Sequence, residues 1–498
     1  MAATPGASTR ARSLRVLMLT AELVPYAKTG GLADVLGALP KALARLGVDV
    51  RVALPRYGPA QPGRLEIATI ARDVPVPLGH ASRLVNVGET TRDGLPVLFI
   101  ENDHYFGREN IYGYGDDGER FVFFCRAALE AARALHWRPD VIHCHDWHTG
   151  LVPNWLRTTL RADAHYRGVA SVFTIHNLAY QGHFGYEVLE AAGLQQGGFI
   201  PHPLYPDLSD VLIFIARGIL FADLVTTVSA RYAQEILTPE YGERLDAVLR
   251  DRQADLLGIQ NGIDVDLHNP ATDPALGASY TADDLAPKAT AKAGLQRAAG
   301  LPVPPHVPLI GMVSPLADHK GFDILQPVLS HLLARDVQLV ALGVGDPRYH
   351  DLLNHTARAY PSKAAAFLRF DATLAQRIYG GSDIFLTPSR HEPSGLGQLI
   401  ALRYGSVPIV RATGGLADTV EDVDVRNGTG TGFVFPHYDP IDLFGAIARA
   451  LATYGHRDAW TAIVRRGMRQ DVSWERSARQ YVAAYERAIA SSERRFGA

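Results

Sequence analysis

The hydrophobic pattern of the chain alternates between the period of a strand and that of a helix. Residues 14–20 form a short apolar run with the length of a buried strand, and residues 49–55 form the next one. Between them, leucines and valines recur at helical spacing over 32–46, and Gly47 follows at the position typical of a helix C-terminus. Pro40 lies inside this segment and predicts a kink. The pattern therefore predicts a strand, a helix and a strand in succession.

The second half of the chain repeats this alternation. Short apolar runs at 309–314, 337–342, 384–387 and 407–410 predict buried strands, with helical patterns such as 395–404 between them. Strand–helix alternation indicates an α/β fold whose parallel sheets are covered on both faces. Because prolines are concentrated at 268–306, we expect a linker or hinge there. The predicted parts are a flexible tail at 1–13, an N-terminal domain at 14–267, a C-terminal domain at 307–474 and a closing helix at 475–498.

Composition excludes several classes of protein. The 498 residues carry 49 Lys and Arg against 52 Asp and Glu, a balance that gives no reason to expect nucleic acid or an anionic membrane as partner. A hydrophobic fraction of 47% with 20% charged residues is typical of a globular protein. The most apolar stretch, 211–228, is interrupted by Arg217 and Asp223, which argues against a membrane span. Two cysteines, Cys125 and Cys144, indicate a reducing cytoplasm, and residues 1–13 lack the apolar core of a secretory signal.

One internal repeat carries candidate chemistry. The sequence TGGLAD at 29–34 returns unchanged at 413–418, each time after an apolar run and before a helical pattern. The copies are either a coincidence of two similar turns or two similar domains that each offer a glycine loop and a helix N-terminus to one ligand. In the second case, backbone N–H groups and the positive helix end favour a phosphate. Lys28 precedes the first copy, where it either places an ammonium on that phosphate or is a solvated loop lysine.

Histidines mark the ends of two strands in the first half. Residues 143–148 read HCHDWH, which resembles a metal site, but a metal needs three or four converging ligands. In a strand His143 and His145 share a face while Cys144 points away, so polar groups at the edge of a sugar pocket explain the run better. His176 ends another strand at the same predicted edge. It is either a functional group in that crevice or a hydrogen-bonded core residue.

Aromatic and acidic residues complete the set of candidates. The tracts at 105–114 and 177–182 mix aromatic and amide side chains, which suit sugar rings, so Tyr105, Tyr112 and Tyr180 are candidate sugar contacts; ordinary loop packing is the alternative. Lys320 follows a predicted strand and is a second candidate cation for phosphate. Glu392 follows another strand, where it either binds sugar hydroxyls or stabilises a helix N-terminus.

These motifs together resemble the glycogen/starch synthase family, in particular its bacterial members. The resemblance is carried in order by KTGGLADV (28–35), HDWH (145–148), TIHNLAYQG (174–182), NGID (261–264), DHKG (318–321), PSRHEPSGLGQLIALRYG (388–405) and TGGLADT (413–419). It implies a GT-B fold, with two Rossmann-like domains facing a central cleft and the C-terminal helix crossing back to the N-terminal domain. It also implies transfer of glucose from ADP-glucose to the non-reducing-end 4-hydroxyl of an α-1,4-glucan, with retention of the anomeric configuration and without a cofactor or metal.

The resemblance implies roles for individual residues. Lys28, His176, Lys320 and Glu392 are the expected catalytic residues; in related enzymes the leaving phosphate deprotonates the acceptor, so no carboxylate nucleophile is needed. The expected contacts of ADP-glucose are Lys28, Gly30, Gly31, Asp146, Trp147, His176, Asn261, Lys320, Glu392, Ser394, Gly395, Leu396, Thr413 and Gly414. The sugar that Tyr105, Tyr112 and Tyr180 would contact is then the acceptor glucan.

Three positions depart from the patterns of related enzymes. Pro315 replaces an arginine expected on the donor diphosphate, and loss of such a charge typically costs about 10²–10³ in rate. Ser394 replaces the usual cysteine, a milder change. Ile400 stands where the broader retaining-transferase pattern has a second glutamate, which fits the glycogen synthase branch. Because of Pro315, a weak or inactive homologue that binds glucan or nucleotide sugar is the alternative to an active synthase, and a transferase with another donor is a third.

Overall fold

The computed structural model describes residues 13–58 and 66–497, whose contacts divide into two units. The first unit comprises Met1–Thr226, Ile236–Leu257 and Ala478–Ala498, and the second comprises Thr227–Glu235 and Gly258–Ser477. Apart from Ser13, the predicted tail at 1–13 lies outside the described residues.

The first unit is built on a sheet with strand order β11-β10-β7-β6-β1-β2-β5-β4-β3. Pairs β1–β2, β1–β6, β2–β5 and β6–β7 are parallel, whereas β3–β4 and β4–β5 are antiparallel. The central strands are buried on both faces, as their continuous apolar sequences predict. The strands of this unit are β1 Arg15–Leu19, β2 Asp49–Pro55, β3 Ala68–Leu78, β4 Ala81–Arg92, β5 Leu95–Glu101, β6 Val141–His145, β7 Ala170–Ile175, β8 His183–Phe184, β9 Leu212–Ile213, β10 Leu224–Thr227 and β11 Leu256–Gly258.

The second unit contains a sheet with strand order β14-β13-β12-β15-β16-β17, in which every neighbouring pair is parallel. Numbered from its first strand, this is the 3-2-1-4-5-6 order of a Rossmann fold. Its strands are β12 Leu309–Val313, β13 Gln338–Leu342, β14 Ala364–Phe367, β15 Ile384–Thr387, β16 Val407–Arg411 and β17 Phe433–Phe435.

Helices connect the strands of both units. The first helix runs through Pro40 without interruption and buries its leucine face, and Gly47 adopts a positive φ just after its end. In chain order the helices are α1 Gly31–Arg45, α2 Asp103–Phe106, α3 Asp117–Ala134, α4 Leu151–Arg157, α5 Tyr186–Ala191, α6 Phe214–Phe221, α7 Ala230–Glu235, α8 Asp246–Asp251, α9 Lys288–Ala298, α10 Phe322–Leu333, α11 Pro347–Ala359, α12 Ala372–Gly381, α13 Gly397–Arg403, α14 Gly414–Thr419, α15 Pro440–Tyr454, α16 Arg457–Arg469 and α17 Trp474–Gly497.

The segment expected to be a linker, 268–306, is instead folded into the second unit. Leu276, Tyr280 and Leu295 belong to the buried core of that unit, and the hydroxyl of Tyr280 donates to the backbone carbonyls of Gly380 and Tyr404. Its prolines therefore mark turns within a packed region. A mixed sheet whose central strands are parallel and a fully parallel sheet, both with Rossmann-like strand order, confirm the predicted fold class. No helix in the described ranges is both long and apolar enough to cross a membrane.

Candidate active site

The sheet of the second unit reverses its strand order between β12 and β15. Ligands of such sheets bind outside the carboxyl ends of the strands at this switch point. The loop after β12 carries Lys320, and the loop after β15 carries Ser389 and Glu392. The topology therefore brings together two of the predicted catalytic residues.

Lys320 and Glu392 form a largely buried ion pair. The Lys320 ammonium donates to Glu392 Oε2 over 2.7 Å, and the Ser389 hydroxyl donates to the same oxygen over 2.9 Å. Burial acts to raise the pKa of Glu392, but the Lys320 charge and the two hydrogen bonds hold that pKa below its usual value. The pair therefore places a carboxylate beside an ammonium group.

A cavity of about 150 Å³ contains this pair. Gly395 and Leu396 line it as predicted, and Pro315 lines it from the loop after β12. Gly395 has a φ of +66°, a conformation that favours glycine. Ser394 and Asn261 are not among the lining residues; Ser394 Oγ accepts from Gln260 over 3.4 Å, and Asn261 is buried.

The second glycine loop is buried and already bound. The carboxylate of Glu235 accepts from the Thr413 hydroxyl over 3.3 Å and from the Gly414 N–H over 3.1 Å. The Gly415 N–H donates to the carbonyls of Glu392 and Pro393. Thr413 and Gly414 are therefore not offered to a ligand, contrary to the prediction, because a protein carboxylate occupies the position expected for a phosphate.

In the first unit the strand order reverses between β1 and β6. The first glycine loop follows β1, and Glu22 binds it: the carboxylate accepts from the N–H groups of Thr29 and Gly30 over 2.7 and 2.9 Å. Glu22 also accepts from the Thr29 and Tyr112 hydroxyls. Unlike the second copy, this loop is exposed, and a Cβ added to Gly30 or Gly31 would meet nothing within 4 Å.

Lys28 lies beside this loop with its ammonium 2.6 Å from Asp34 Oδ1. Both side chains are exposed, so the ion pair is weak and the ammonium can turn toward a bound anion at little cost.

Asp146 and His176 follow β6 and β7, and the structure brings them together. Asp146 Oδ1 accepts from the His176 N–H over 2.7 Å and from the Asn177 N–H over 3.4 Å. Burial raises the pKa of Asp146 to about 7, partly offset by these two hydrogen bonds, and the Glu22 charge adds to the rise. Burial lowers the pKa of His176 to about 3, so the imidazole is neutral at pH 7. Asp146 therefore supports the backbone of the predicted catalytic histidine.

The three tyrosines predicted to bind glucan lie in different environments. Tyr105 is 1% exposed, packs against Phe123 and donates to Glu119, so its assignment to the acceptor is wrong. Tyr112 donates to Glu22 and stacks on His148 at 4.9 Å between ring centroids. Tyr180 is 63% exposed.

Tyr180 and Trp147 line a cavity of about 420 Å³ within the first unit. Glu243 and Arg244 also line it, and both have positive φ, +46° and +68°. The Gln181 side-chain amide donates to the Glu243 carbonyl over 2.8 Å and ties the Tyr180 loop to this strained turn. An exposed aromatic ring beside charged and amide groups is a surface that suits a sugar chain.

Within residues 13–58 and 66–497, the cysteines and the remaining histidines do not form a metal site. Cys125 and Cys144 are buried free thiols. Among the described residues, no group of three or more His, Cys, Asp or Glu side chains is arranged to hold a metal ion.

Sequence reasoning missed two groups at these sites, Glu22 and Glu235, which bind the two glycine loops. It placed His145 at the edge of a pocket, whereas in the structure His145 contacts His176. Glu22 could have been found, because it follows β1 at the edge where ligands bind. Glu235 is distant in sequence from the loop that it binds, and no local pattern points to it.

Two Rossmann-like units with charged residues at the switch point of each sheet fit a glycosyltransferase of the GT-B type, and two family models assign the chain to that class. Residues 15–251 match the family model of the starch synthase catalytic domain, and residues 299–466 match that of the glycosyl transferases group 1. The chain belongs to the glycogen and starch synthase family.

Relatives that match nearly the full length of this chain support the same family. The chain is 46% identical to the glycogen synthase of Desulforudis audaxviator, covering 96% of this chain and 97% of that one. It is 48% identical to the glycogen synthase of Anaeromyxobacter dehalogenans, with 95% and 98% covered. The solved catalytic domain of starch synthase IV from Arabidopsis thaliana, bound to ADP and acarbose, is similar at a TM-score of 0.89 and 35% identity, with 96% and 100% covered. These relatives support a glycogen synthase over an inactive binding protein.

Proposed function

We propose that this enzyme transfers glucose from ADP-glucose to the non-reducing-end 4-hydroxyl of an α-1,4-glucan, with retention at the anomeric carbon. The bond between that carbon and the ADP oxygen breaks, a bond to the acceptor oxygen forms, and the acceptor proton passes to the leaving phosphate. The Lys320–Glu392 pair at the switch point of the second sheet is the observation that carries this proposal. The ADP and acarbose bound to the similar starch synthase support the choice of nucleotide and glucan.

The second unit supplies the main donor contacts in this proposal. An ammonium has three N–H donors, so Lys320 can keep its bond to Glu392 while it stabilises the charge of the departing ADP. Glu392 accepts from hydroxyls of the donor glucose, and Gly395 and Leu396 line the pocket. Ser394 and Asn261 remain proposed donor contacts on the strength of the motif alone.

The first unit supplies the remaining groups. Lys28 is proposed to bind the diphosphate through its ammonium, and Gly30 and Gly31 to leave open space for it, since Glu22 already accepts from the Gly30 N–H. His176, supported by Asp146, contacts the transferred glucose beside Trp147. No cofactor or divalent metal takes part in this proposal, because lysines and backbone dipoles supply the positive charge. We place the enzyme in the cytoplasm, with neither nucleic acid nor membrane as partner.

Replacement of Glu392 tests the donor site. We expect Glu392→Gln to lower kcat for glucan elongation by about 10²–10³-fold without loss of fold, because an amide binds sugar hydroxyls and Lys320 more weakly than a carboxylate. Glu421→Gln, which changes an exposed carboxylate of the same unit, is the control and should elongate glycogen normally. Absence of transfer by the unaltered enzyme at high concentration would reject the function itself, and a higher rate with UDP-glucose would reject the donor.

Restoring the missing guanidinium tests the effect of Pro315. We expect Pro315→Arg to raise kcat with little change in KM for ADP-glucose, because Pro315 lines the cavity that contains Lys320. An unchanged kcat would mean that the cations already present are sufficient.

The cavity beside Tyr180 is the proposed glucan site, together with Tyr112. We expect Tyr180→Ala to raise KM for maltoheptaose about tenfold while KM for ADP-glucose stays constant. The variant loses the stacking of the tyrosine ring against a sugar ring, and this contact is made only with the acceptor. Tyr186→Ala removes another exposed tyrosine of the same unit, outside the cavity, and should change neither. Equal effects of the two variants would remove the cavity from the acceptor site.

A further inference from the structure

A second histidine lies behind the proposed catalytic one. His145, at the end of β6, is 0% exposed, and its Nδ1 is 3.0 Å from Nε2 of His176. Burial lowers the pKa of both imidazoles, so each ring carries a single proton at pH 7. One of the two facing nitrogens therefore donates and the other accepts.

The other nitrogen of His145 indicates which ring donates. Among the residues that the structure describes, His145 Nε2 is buried without a hydrogen-bond partner. If His176 were the donor, His145 would carry its own proton on this buried Nε2, as an unpaired N–H. A buried unpaired N–H is rarer than a buried unpaired acceptor. The geometry therefore favours a proton on His145 Nδ1, donated to His176 Nε2.

The neighbouring histidine, His143, packs against the ring of His145. The rings of His143 and His145 lie 4.0 Å apart between centroids. His143 is fixed at both nitrogens, with Tyr485 Oη 2.9 Å from Nδ1 and Thr174 Oγ1 2.6 Å from Nε2. Because both nitrogens of His143 have these partners, His143 takes no part in the hydrogen bond between His145 and His176.

We propose that His145 is a positioning residue that fixes His176 as the tautomer protonated on Nδ1. His176 then presents an N–H to its ligand, so it acts as a hydrogen-bond donor to a sugar or phosphate oxygen and not as a base. This inference deepens the proposed function, since it rests on His176 contacting the donor.

Two amide substitutions at His145 test whether the hydrogen-bond donor at the Nδ1 position matters, because neither amide reproduces the imidazole ring. The side-chain nitrogen of asparagine matches the position of Nδ1, whereas that of glutamine matches Nε2. We expect His145→Asn to keep kcat within about threefold, and His145→Gln and His145→Leu to lower kcat about 10- to 100-fold with KM for ADP-glucose unchanged. Equal losses in the Asn and Gln variants would overturn the proposal.

The tautomer can also be read directly. In protein labelled with ¹⁵N-histidine, with the His176 signals assigned from a His176→Gln spectrum, we expect Nδ1 to be protonated and Nε2 unprotonated. Protonated Nε2 in the unaltered enzyme would overturn the proposal, even if the Leu variant does not fold. This spectrum is independent of turnover, so absence of glucose transfer would reject the proposed function and leave the tautomer to be judged on its own.

Discussion

The two copies of TGGLAD share six letters and differ in what surrounds them. A glutamate binds each loop: Glu22 accepts from the first copy and Glu235 from the second. The first copy is exposed, whereas a Cβ on Gly415 of the second would overlap the carbonyl oxygen of Ser394. The same sequence therefore has two uses, an open loop beside Lys28 and a packed support for the segment that carries Glu392.

The difference shows why a glycine loop alone does not identify a phosphate site. Backbone N–H groups bind any suitably placed anion, and a carboxylate of the same chain fills that role in both copies. Whether a loop can also bind an external anion therefore depends on the residue that precedes it and on how exposed the loop is. The first copy follows Lys28, whereas the second follows Ala412 and has no ammonium at that position.

Replacing a glycine of each loop by alanine should give the largest difference between the two copies. The new methyl group should destabilise the packed second loop and leave the open first loop almost unchanged. We expect Gly415→Ala to lower the free energy of unfolding by about 3 kcal/mol, because the backbone of Ser394 cannot move away easily. Gly31→Ala, at the first residue of α1, should change it by about 0.5 kcal/mol or less, since nothing lies near the new Cβ. Urea unfolding followed by circular dichroism measures both, and similar losses would contradict the comparison.

Removing the positive charge of Lys28, beside the open first loop, should give the next largest effect, a loss of turnover. We expect Lys28→Ala to lower kcat about 100-fold, equivalent to about 2.7 kcal/mol, with stability changed by less than about 1 kcal/mol because its ion pair is exposed. Asp34→Asn removes the partner and keeps the ammonium, so its kcat should stay within about threefold of the unaltered enzyme. Near-normal turnover of Lys28→Ala would remove Lys28 from the mechanism.

The pH dependence of stability reports on the surroundings of the first loop. The folded pKa of Asp146, about 7, lies above the unfolded value of 3.8, and Glu22 contributes to that rise. A raised carboxyl pKa destabilises the fold progressively as pH increases from about 4 to about 7. Asp146→Asn should therefore gain stability relative to the unaltered enzyme over that range and level off above it. Urea midpoints from pH 4.5 to 8 measure this, and a constant difference would contradict it.

The fold was predictable because buried parallel strands have continuous apolar sequences. The runs at 49–55 and 384–387 coincide with β2 and β15, and the run at 309–314 ends one residue beyond β12. The segment 268–306 was not predictable, because prolines mark turns whether or not the turns pack into a core. Only the tertiary structure reveals that Tyr280 and Leu295 are buried.

The site was predictable where a residue follows a strand directly. Lys320 and Glu392 meet because β12 and β15 are adjacent at the switch point, a relation that the strand order provides. Tyr105 was assigned wrongly, because the sequence of a mixed aromatic and polar tract does not show which of its rings are buried and which are exposed. His145 was assigned to a pocket edge, and its role behind His176 depends on a contact across 31 residues.

The last part of α17 has a consequence for synthesis on the ribosome. Residues 478–497 belong to the first unit although they are translated after the whole of the second, and they bring Tyr485 to His143. The first unit therefore cannot reach its final packing before this part of α17 has been synthesised. A nascent chain stalled before residue 478 should lack the Tyr485 hydrogen bond to His143 however long it waits.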